Sequence, residues 1–498
     1  MNKLFENLYI FEMANNHQGS VEHGLRIIRE MAKIARCHGL NAAVKLQYRD
    51  LDTFVHPTYR DRQDVKHIPR FMSTRLDESE FRTLVNATRD EGLVTVVTPF
   101  DEASVARCLS HGVDILKVAS CSAADWPLLA AVANAKRPVI VSTGGQDLRQ
   151  IDRLVSFFEH KHADFAMMHC VGLYPTPPKN LHLNFIDRLK TRFPEVPVGY
   201  SGHEAPENRD VVRAAVAKGA AILERHVGVP TDEITLNKYS MSPEQVDAWV
   251  TAAEACRTLC GDGDGKRVTQ QEVESLRSLQ RGVYAKHPIS AGQAITVNDV
   301  SFAMPCVDEQ LSSGELGRYR VRCTASRDYA VGEPVFERCE TDQIHFMRTI
   351  VHEAKGILRE AHVVLGDDVQ IELSHHEGID NFRRTGAVLV SVVNRNYCKK
   401  LIIVLPGQNH PSHCHKTKEE TFQVLWGELD VTMEGTATTL KPGGKMLVET
   451  GRMHSFSSRT GAVFEEVSTT HLPDDSFYED PAINTMDSLL RKTIVEDW

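Results

Sequence analysis

Eight times within the first 260 residues a short apolar run gives way to a helix-length amphipathic stretch, and few folds can use that rhythm. The runs are Tyr9–Met13, Ala42–Leu46, Val94–Pro99, Ile115–Ala119, Pro138–Val141, Phe165–His169, Val196–Tyr200 and Ala221–Arg225. Between and after them, stretches such as Val21–His38, Glu78–Glu91, Asp147–His160, Leu181–Arg192, Asn208–Lys218 and Pro243–Leu259 carry apolar residues at helical spacing. Eight βα units over about 250 residues suit a closed TIM (β/α)8 barrel; an open doubly wound sheet rarely needs so many.

In such a barrel the chemistry sits where strands give way to the following loops. The predicted strands stop at residues suited to a site there: Glu12, Lys45 and Gln47, Thr98 and Phe100, Lys117 and Ser120, Ser142 and Thr143, His169 and Tyr174, Ser201 and His203, Glu224 and His226. Two lysines with several hydroxyls on one rim can neutralise and hydrogen-bond a small anion carrying phosphate and carboxylate. His203 and His226 end neighbouring strands, so their imidazoles can share a divalent ion.

Beyond the barrel, Gly261–Arg267 (GDGDGKR) is too rich in Gly and Asp to hold a helix and reads as a linker. Residues 275–341 contain two β-like runs with Gly-containing turns, fit for a compact β-rich module. From about Gln343 a helical run, Arg348–Ala361, precedes short strands separated by Gly, Pro and Asn, the pattern of an antiparallel barrel or jelly roll. The expected domains are therefore 1–260, 275–341 and 343–498. The formal net charge of −10 is spread along the chain without a basic stripe, which argues against nucleic acid as a partner. No apolar run approaches the roughly 20 residues of a membrane span, and the first residues are too acidic for a signal peptide, so the expectation is a cytoplasmic protein with no membrane partner. Its 11 cysteines are scattered without a CxxC pair and read as reduced thiols.

The segments FEMANNHQGS at 11–20, AVKLQ at 43–47, VTPF at 97–100, KVAS at 117–120, VSTGG at 141–145, HCVGLYPTPP at 169–178, VGYSGH at 198–203 and LERH at 223–226 resemble, in order, the sialic acid synthase family. Residues 275–341 resemble the antifreeze-like (SAF) domain that follows the barrel there. The resemblance implies condensation of phosphoenolpyruvate with an aldose, assisted by a divalent cation (manganese or magnesium), to give a ulosonic acid and phosphate. It implies that Lys45, Thr98, Lys117, Ser120, Ser142 and Ser201 surround phosphoenolpyruvate and that His203 and His226 hold the metal. Glu12 and Glu224 would be the carboxylates near the reacting carbons, with Gln47 and Tyr174 on the acceptor side. It also implies a homodimer in which residues 275–341 cap the neighbour's barrel. Departures fall mostly on the acceptor side: Ser122, Gly172, Gly202, Leu236 and Met304 stand where the family often has polar or charged groups. Retained anion and metal residues beside altered acceptor residues imply the same reaction on an aldehyde other than N-acetylmannosamine.

In HPSHCHKTKEETF, His413 and His415 share a strand face by alternation, Glu420 follows, and KPGGKMLVETGRMHSF brings His454 on a later strand. Three imidazoles and a carboxylate can hold manganese, iron, zinc or nickel. These segments resemble the cupin motifs, with Glu449 and Ser458 departing from the second. IIVLPGQNHPSHCHKTKEETF together with EEVSTTHLPDDSFYED resembles D-lyxose isomerase-type cupins, which implies ketose–aldose interconversion with Lys418 as an acid–base group. Three readings follow: a synthase whose cupin isomerises or binds its aldose, a synthase with a sugar-sensing or assembly cupin, and a cupin isomerase attached to a lapsed barrel.

Overall fold

The computed structural model describes residues 3–261, 265–366 and 369–495. They form two compact units, residues 1–266 and 267–498. The middle of the predicted linker, residues 262–264, lies outside the described residues.

In the first unit eight parallel strands close in sequential order: β1 (Leu8–Glu12), β2 (Ala42–Tyr48), β3 (Val94–Pro99), β4 (Ile115–Val118), β5 (Val139–Ser142), β6 (Phe165–Cys170), β7 (Val198–Gly202) and β8 (Ile222–His226). The seam closes by pairing β1 with β8, with Ile10 opposite Glu224 and Glu12 opposite His226. The expected strands are all present, with ends shifted by a residue or two. Three predicted helices start late: Asn184–Arg192 replaces 181–192, Asp210–Ala217 replaces 208–218, and Leu148–His160 begins after Asp147, whose side chain caps it. The short helix Ile68–Ser73, between β2 and β3, breaks the simple alternation.

Strand side chains alternate between the barrel interior and the helix layer. The interior is filled by Ile10, Ala43, Val96, Ile115, Ile140, Met168 and Ile222, all fully buried. Two residues further along the same strands stand Glu12, Lys45, Thr98, Lys117, Ser142, Cys170 and Glu224, and β7 adds Ser201. An apolar plug thus gives way, one layer higher and at the loop-bearing end, to a ring of polar and thiol side chains. The intervening residues, such as Phe11, Val44, Val97, Leu116, Val141 and Leu223, pack against the helices.

The second unit begins with the helix Gln270–Arg277 and two small antiparallel ribbons, Gly282–Ala285 with Val300–Ala303 and Val321–Arg322 with Glu340–Thr341. Val283, Ile289, Ile295, Val300, Leu311 and Val335 form a core of their own there. After the helix Gln343–Glu360, two antiparallel sheets of seven and five strands follow. The seven-stranded sheet runs Lys445–Val448, Glu420–Gly427, Ala462–Ser468, Cys398–Val404, Gly386–Asn394, Gln370–His375, Lys492–Val495. The five-stranded sheet runs Thr436–Leu440, Leu429–Met433, His454–Ser458, Gln408–Cys414, Phe477–Tyr478. Phe422, Val424, Val431, Phe456 and Phe464 fill the space they share, which makes this the predicted all-β cupin barrel. Among the described residues no helix is long and apolar enough to cross a membrane.

Candidate functional site

The polar ring of the first unit is built around Glu224, 4% exposed, whose carboxylate lies between two lysines. Lys117 Nζ is 2.8 Å from Oε2, Lys45 Nζ is 2.8 Å from Oε1, and Ser201 donates to Oε1 at 2.8 Å. Lys45 also reaches Glu12 Oε2 at 2.6 Å, while Glu12 Oε1 accepts the Ala14 N–H at 2.7 Å. The Gln47 amide donates to Glu12 Oε2 at 3.4 Å. Burial alone would neutralise such groups, and only the mutual pairing keeps them charged. Against burial, Lys117 and Lys45 hold Glu224 well below the usual carboxylate range. Burial works against the charge of Lys45, but Glu12 and Glu224 outweigh it and raise its pKa. Lys117, with one carboxylate partner, stays below the ordinary lysine value because burial wins.

Thr98 and Ser142 are buried at the ends of β3 and β5, and Ser120 accepts the Gly144 N–H at 3.1 Å. A Cβ on Gly144 would come 2.7 Å from Ser120 Oγ, so only glycine lets the backbone approach this hydroxyl.

At the mouth, His203 and His226 lie with ring centroids 5.4 Å apart. Tyr174, 55% exposed, packs on His203 at 4.2 Å, and Tyr239 meets His226 edge-on at 5.1 Å. Burial, helped by His226 beside His203 and by Lys45 near His226, pushes both imidazoles down to about 3, so at neutral pH they carry no proton that would repel a cation. His203 Nδ1 sits 3.1 Å from the Val171 carbonyl, to which it donates, leaving Nε2 with its lone pair. The pair therefore fits a divalent cation.

His169 does not join the site. It follows the inward-facing Met168 by one residue, so its ring turns to the helix layer, where Nε2 donates to the Leu181 carbonyl at 2.7 Å. Thr143 likewise turns its hydroxyl to the Met168 carbonyl. Sequence reading missed Tyr239 and a buried pair beneath the mouth, Arg225 with Glu204, to whose carbonyl Arg225 also donates at 2.7 Å. Arg225 lies between Glu224 and His226, and strand alternation alone turns it the other way. The pair also accounts for Gly202: a Cβ there would come 2.5 Å from Glu204 Oε2 and 2.8 Å from Tyr200 Cε1, so an acidic side chain at this position has no room.

In the cupin, His413 pairs with His454 across neighbouring strands, and a bulge between His410 and His413 re-aims the strand end. His415 follows one residue beyond it. Each ring donates Nδ1–H to a backbone carbonyl: His413 to Pro411 at 3.0 Å, His415 to Asp475 at 2.6 Å, His454 to Arg452 at 3.0 Å. The three imidazoles present ligand atoms within 4.8 Å of one another. Glu420 enters from the other sheet, its oxygens 3.3 Å from His415 Nε2 and 3.2 Å from His454 Nε2. His454 Nε2 and Glu420 Oε2 are buried yet lack hydrogen-bond geometry, a costly arrangement that a shared cation relieves. The donor set fits a divalent transition metal. Lys418 pairs with both Glu420 and Glu466, the latter at 3.0 Å. Unforeseen in the sequence was a further buried pair, His376 and His410, whose Nε2 atoms are 3.0 Å apart, with Tyr478 against His376 and His413.

Fold and sites define a class: a TIM barrel with a buried lysine–carboxylate ring at its loop-bearing end, joined to a cupin with a clustered histidine set. The NeuB family profile matches residues 30–265 and the cupin domain profile residues 400–467. N-acetylneuraminate-9-phosphate synthase of Drosophila melanogaster is 33% identical, over 60% of this chain and 87% of its own. N,N'-diacetyllegionaminic acid synthase of Legionella pneumophila is 27% identical, over 59% and 85%. The crystal structure of a putative spore coat polysaccharide biosynthesis protein E from Chromobacterium violaceum superposes with a TM-score of 0.65 at 45% identity, covering 66% of this chain and 98% of that one. The chain belongs to the NeuB family, is sialic-acid-synthase-like in its barrel, and carries a cupin domain.

Proposed function

We propose that the barrel condenses phosphoenolpyruvate with an aldose to form a ulosonic acid. The observation that carries this reading is the buried Lys45–Glu12 and Lys117–Glu224–Lys45 network lying beneath two neutral histidines. Lys45 and Lys117 bring charge to the phosphate and carboxylate, and Thr98, Ser120, Ser142 and Ser201 supply hydroxyl donors. A divalent cation, manganese or magnesium, held by His203 and His226 would supply Lewis-acid polarisation of the aldehyde oxygen. The enol pair of phosphoenolpyruvate forms the new carbon–carbon bond to the aldehyde carbon, leaving a cation at C2. Water adds there; Glu12, which contacts a single lysine, takes one of its protons, which ends on the former aldehyde oxygen. The other proton leaves with phosphate as the C2–O bond breaks. Glu224 keeps the lysines oriented, and Gln47 and Tyr174 line the acceptor side.

With phosphoenolpyruvate, manganese and a panel of aldoses, phosphate release is the expected result. Lys45→Met should lower phosphoenolpyruvate affinity by more than the roughly 1 kcal/mol of a surface charge. Unchanged calorimetric affinity would remove Lys45 from the anion pocket.

We read residues 1–260, 275–341 and 343–498 as three domains, the second SAF-like. By its resemblance the second domain serves a neighbouring copy's barrel, so sedimentation should give a homodimer; a fully active monomer would sink that reading. For the cupin, Lys418 between Glu420 and Glu466 beside the histidine set favours sugar isomerisation over sensing, because it places an acid–base group next to a metal with manganese, iron, zinc or nickel as candidates. The ketose form of the acceptor would then support condensation only with the cupin metal loaded.

A further inference from the structure

Arg49 lies at the rim of the barrel one residue past β2, which also carries Lys45 and Gln47 at alternate positions. Its guanidinium is clamped on both faces, 4.1 Å from the centroid of Phe71 and 3.6 Å from that of Phe100. Phe71 comes from the short helix after β2, and Phe100 stands two residues beyond Thr98. With both faces covered, only the edge of the plane, where the N–H groups point, is left to bind anything. One edge nitrogen donates to Gln47 Oε1 at 3.0 Å, which ties Arg49 through Gln47 to Glu12 and Lys45. Nε is buried and has no hydrogen-bond partner among the described residues.

The neighbouring carboxylates are committed elsewhere. Asp101 accepts the backbone N–H groups of Asp50 at 2.8 Å and Ser104 at 2.7 Å, Asp52 pairs with Arg75, and Glu12 with Lys45. Among the described residues no carboxylate comes within ion-pair distance of Arg49. Burial pushes its guanidinium down to about 10, with Cys121, Glu12 and Asp101 offsetting only part of the effect. A clamped, half-buried cation with unfilled donors costs free energy in the free protein and recovers it when an anion arrives.

We infer that Arg49 is the specificity-determining residue of the acceptor side and that the aldose carries an anionic group, phosphate or carboxylate, at the end remote from its aldehyde. This rests on the condensation reading above. It also accounts for the loss of polar groups at Gly202 and Leu236, since recognition of the acceptor moves to the β2 side of the mouth.

Phosphate release from phosphoenolpyruvate is measured with D-erythrose, D-arabinose, D-mannose and N-acetylmannosamine, each free and as its terminal phosphate, and with the matching uronates. The expected result is a kcat/KM about 10- to 100-fold higher for one anionic series than for its neutral counterpart. Arg49→Met should erase that preference with the KM for phosphoenolpyruvate unchanged, and Arg49→Lys should restore part of it. Equal use of free and anionic sugars, or a rise in the KM for phosphoenolpyruvate in Arg49→Met, overturns the inference. Calorimetry separates its failure from that of the condensation reading: mannitol 1-phosphate and mannonate, which cannot condense, are titrated against mannitol in the presence of phosphoenolpyruvate. Tighter binding of either anion to the wild type and not to Arg49→Met supports the role of Arg49 even if no sugar releases phosphate; equal binding to both proteins refutes it.

Discussion

Glu224→Ala should leave no measurable phosphate release and lower the stability of the barrel unit by about 3–5 kcal/mol, the cost of stripping a buried ion pair of one partner. Among the described residues Lys117 then has no carboxylate within ion-pair distance, and Lys45 keeps only Glu12. Urea unfolding followed through Trp249, buried against Tyr9 at 5.5 Å, reads the loss in this unit. The pH dependence has a definite sign. The folded carboxyl is held below its unfolded value, so its contribution is complete above the ordinary carboxylate range and disappears as pH falls through the depressed folded pKa. Acid unfolding of the wild type below about pH 4.5 should therefore be steeper than that of Glu224→Gln. Parallel acid limbs would show that Glu224 is not the charged centre of the ring.

The second large effect belongs to the cupin. Adding a divalent transition metal to metal-stripped protein should stabilise the second unit by about 2.7 kcal/mol once free metal reaches 100 times its Kd. His454→Ala should abolish both the bound metal, read by elemental analysis, and the stabilisation, read by calorimetric melting. The reason is geometric: His454 and His413 pair directly across two strands, so the loss of either opens one side of the cluster. Full metal content in His454→Ala would reassign the cluster to packing.

Much of the barrel site was legible because a strand's period of two is a strong constraint. Once Ile10, Ile115 and Ile222 are placed inside, Glu12, Lys117 and Glu224 must follow on the same side. The same rule removes His169, which could be counted among the polar strand ends of the site only while the register was unknown. What stayed hidden has other causes. Arg225 finds Glu204 across two strand ends, and Tyr239 reaches His226 from a loop, so both depend on loop paths that no periodicity encodes. Arg49 is a rim arginine like many others until Phe71 and Phe100 arrive from separate segments to clamp it. In the cupin the HxH spacing pointed to His413 and His415, and the later motif to His454, as candidate ligands, whereas His376 and His410 are 34 residues apart and meet only once the chain has folded, His376 coming from just past the strand Gln370–His375.

The seam between β1 and β8 has a consequence for how the chain is made. Glu224 is 179 residues from Lys45 and 107 from Lys117, so neither lysine meets it until the last strand has been added. At about 5–20 residues per second of synthesis, roughly 10–40 s separate the emergence of β1 from that of β8. During that interval the growing ring has two unpaired sheet edges, and Lys117 awaits its counter-charge. The strand that closes the barrel is also the one that brings Lys117 its carboxylate, so a chain cut short before Glu224 leaves that lysine unpaired and the sheet with two open edges, and is a natural client for chaperones or proteases.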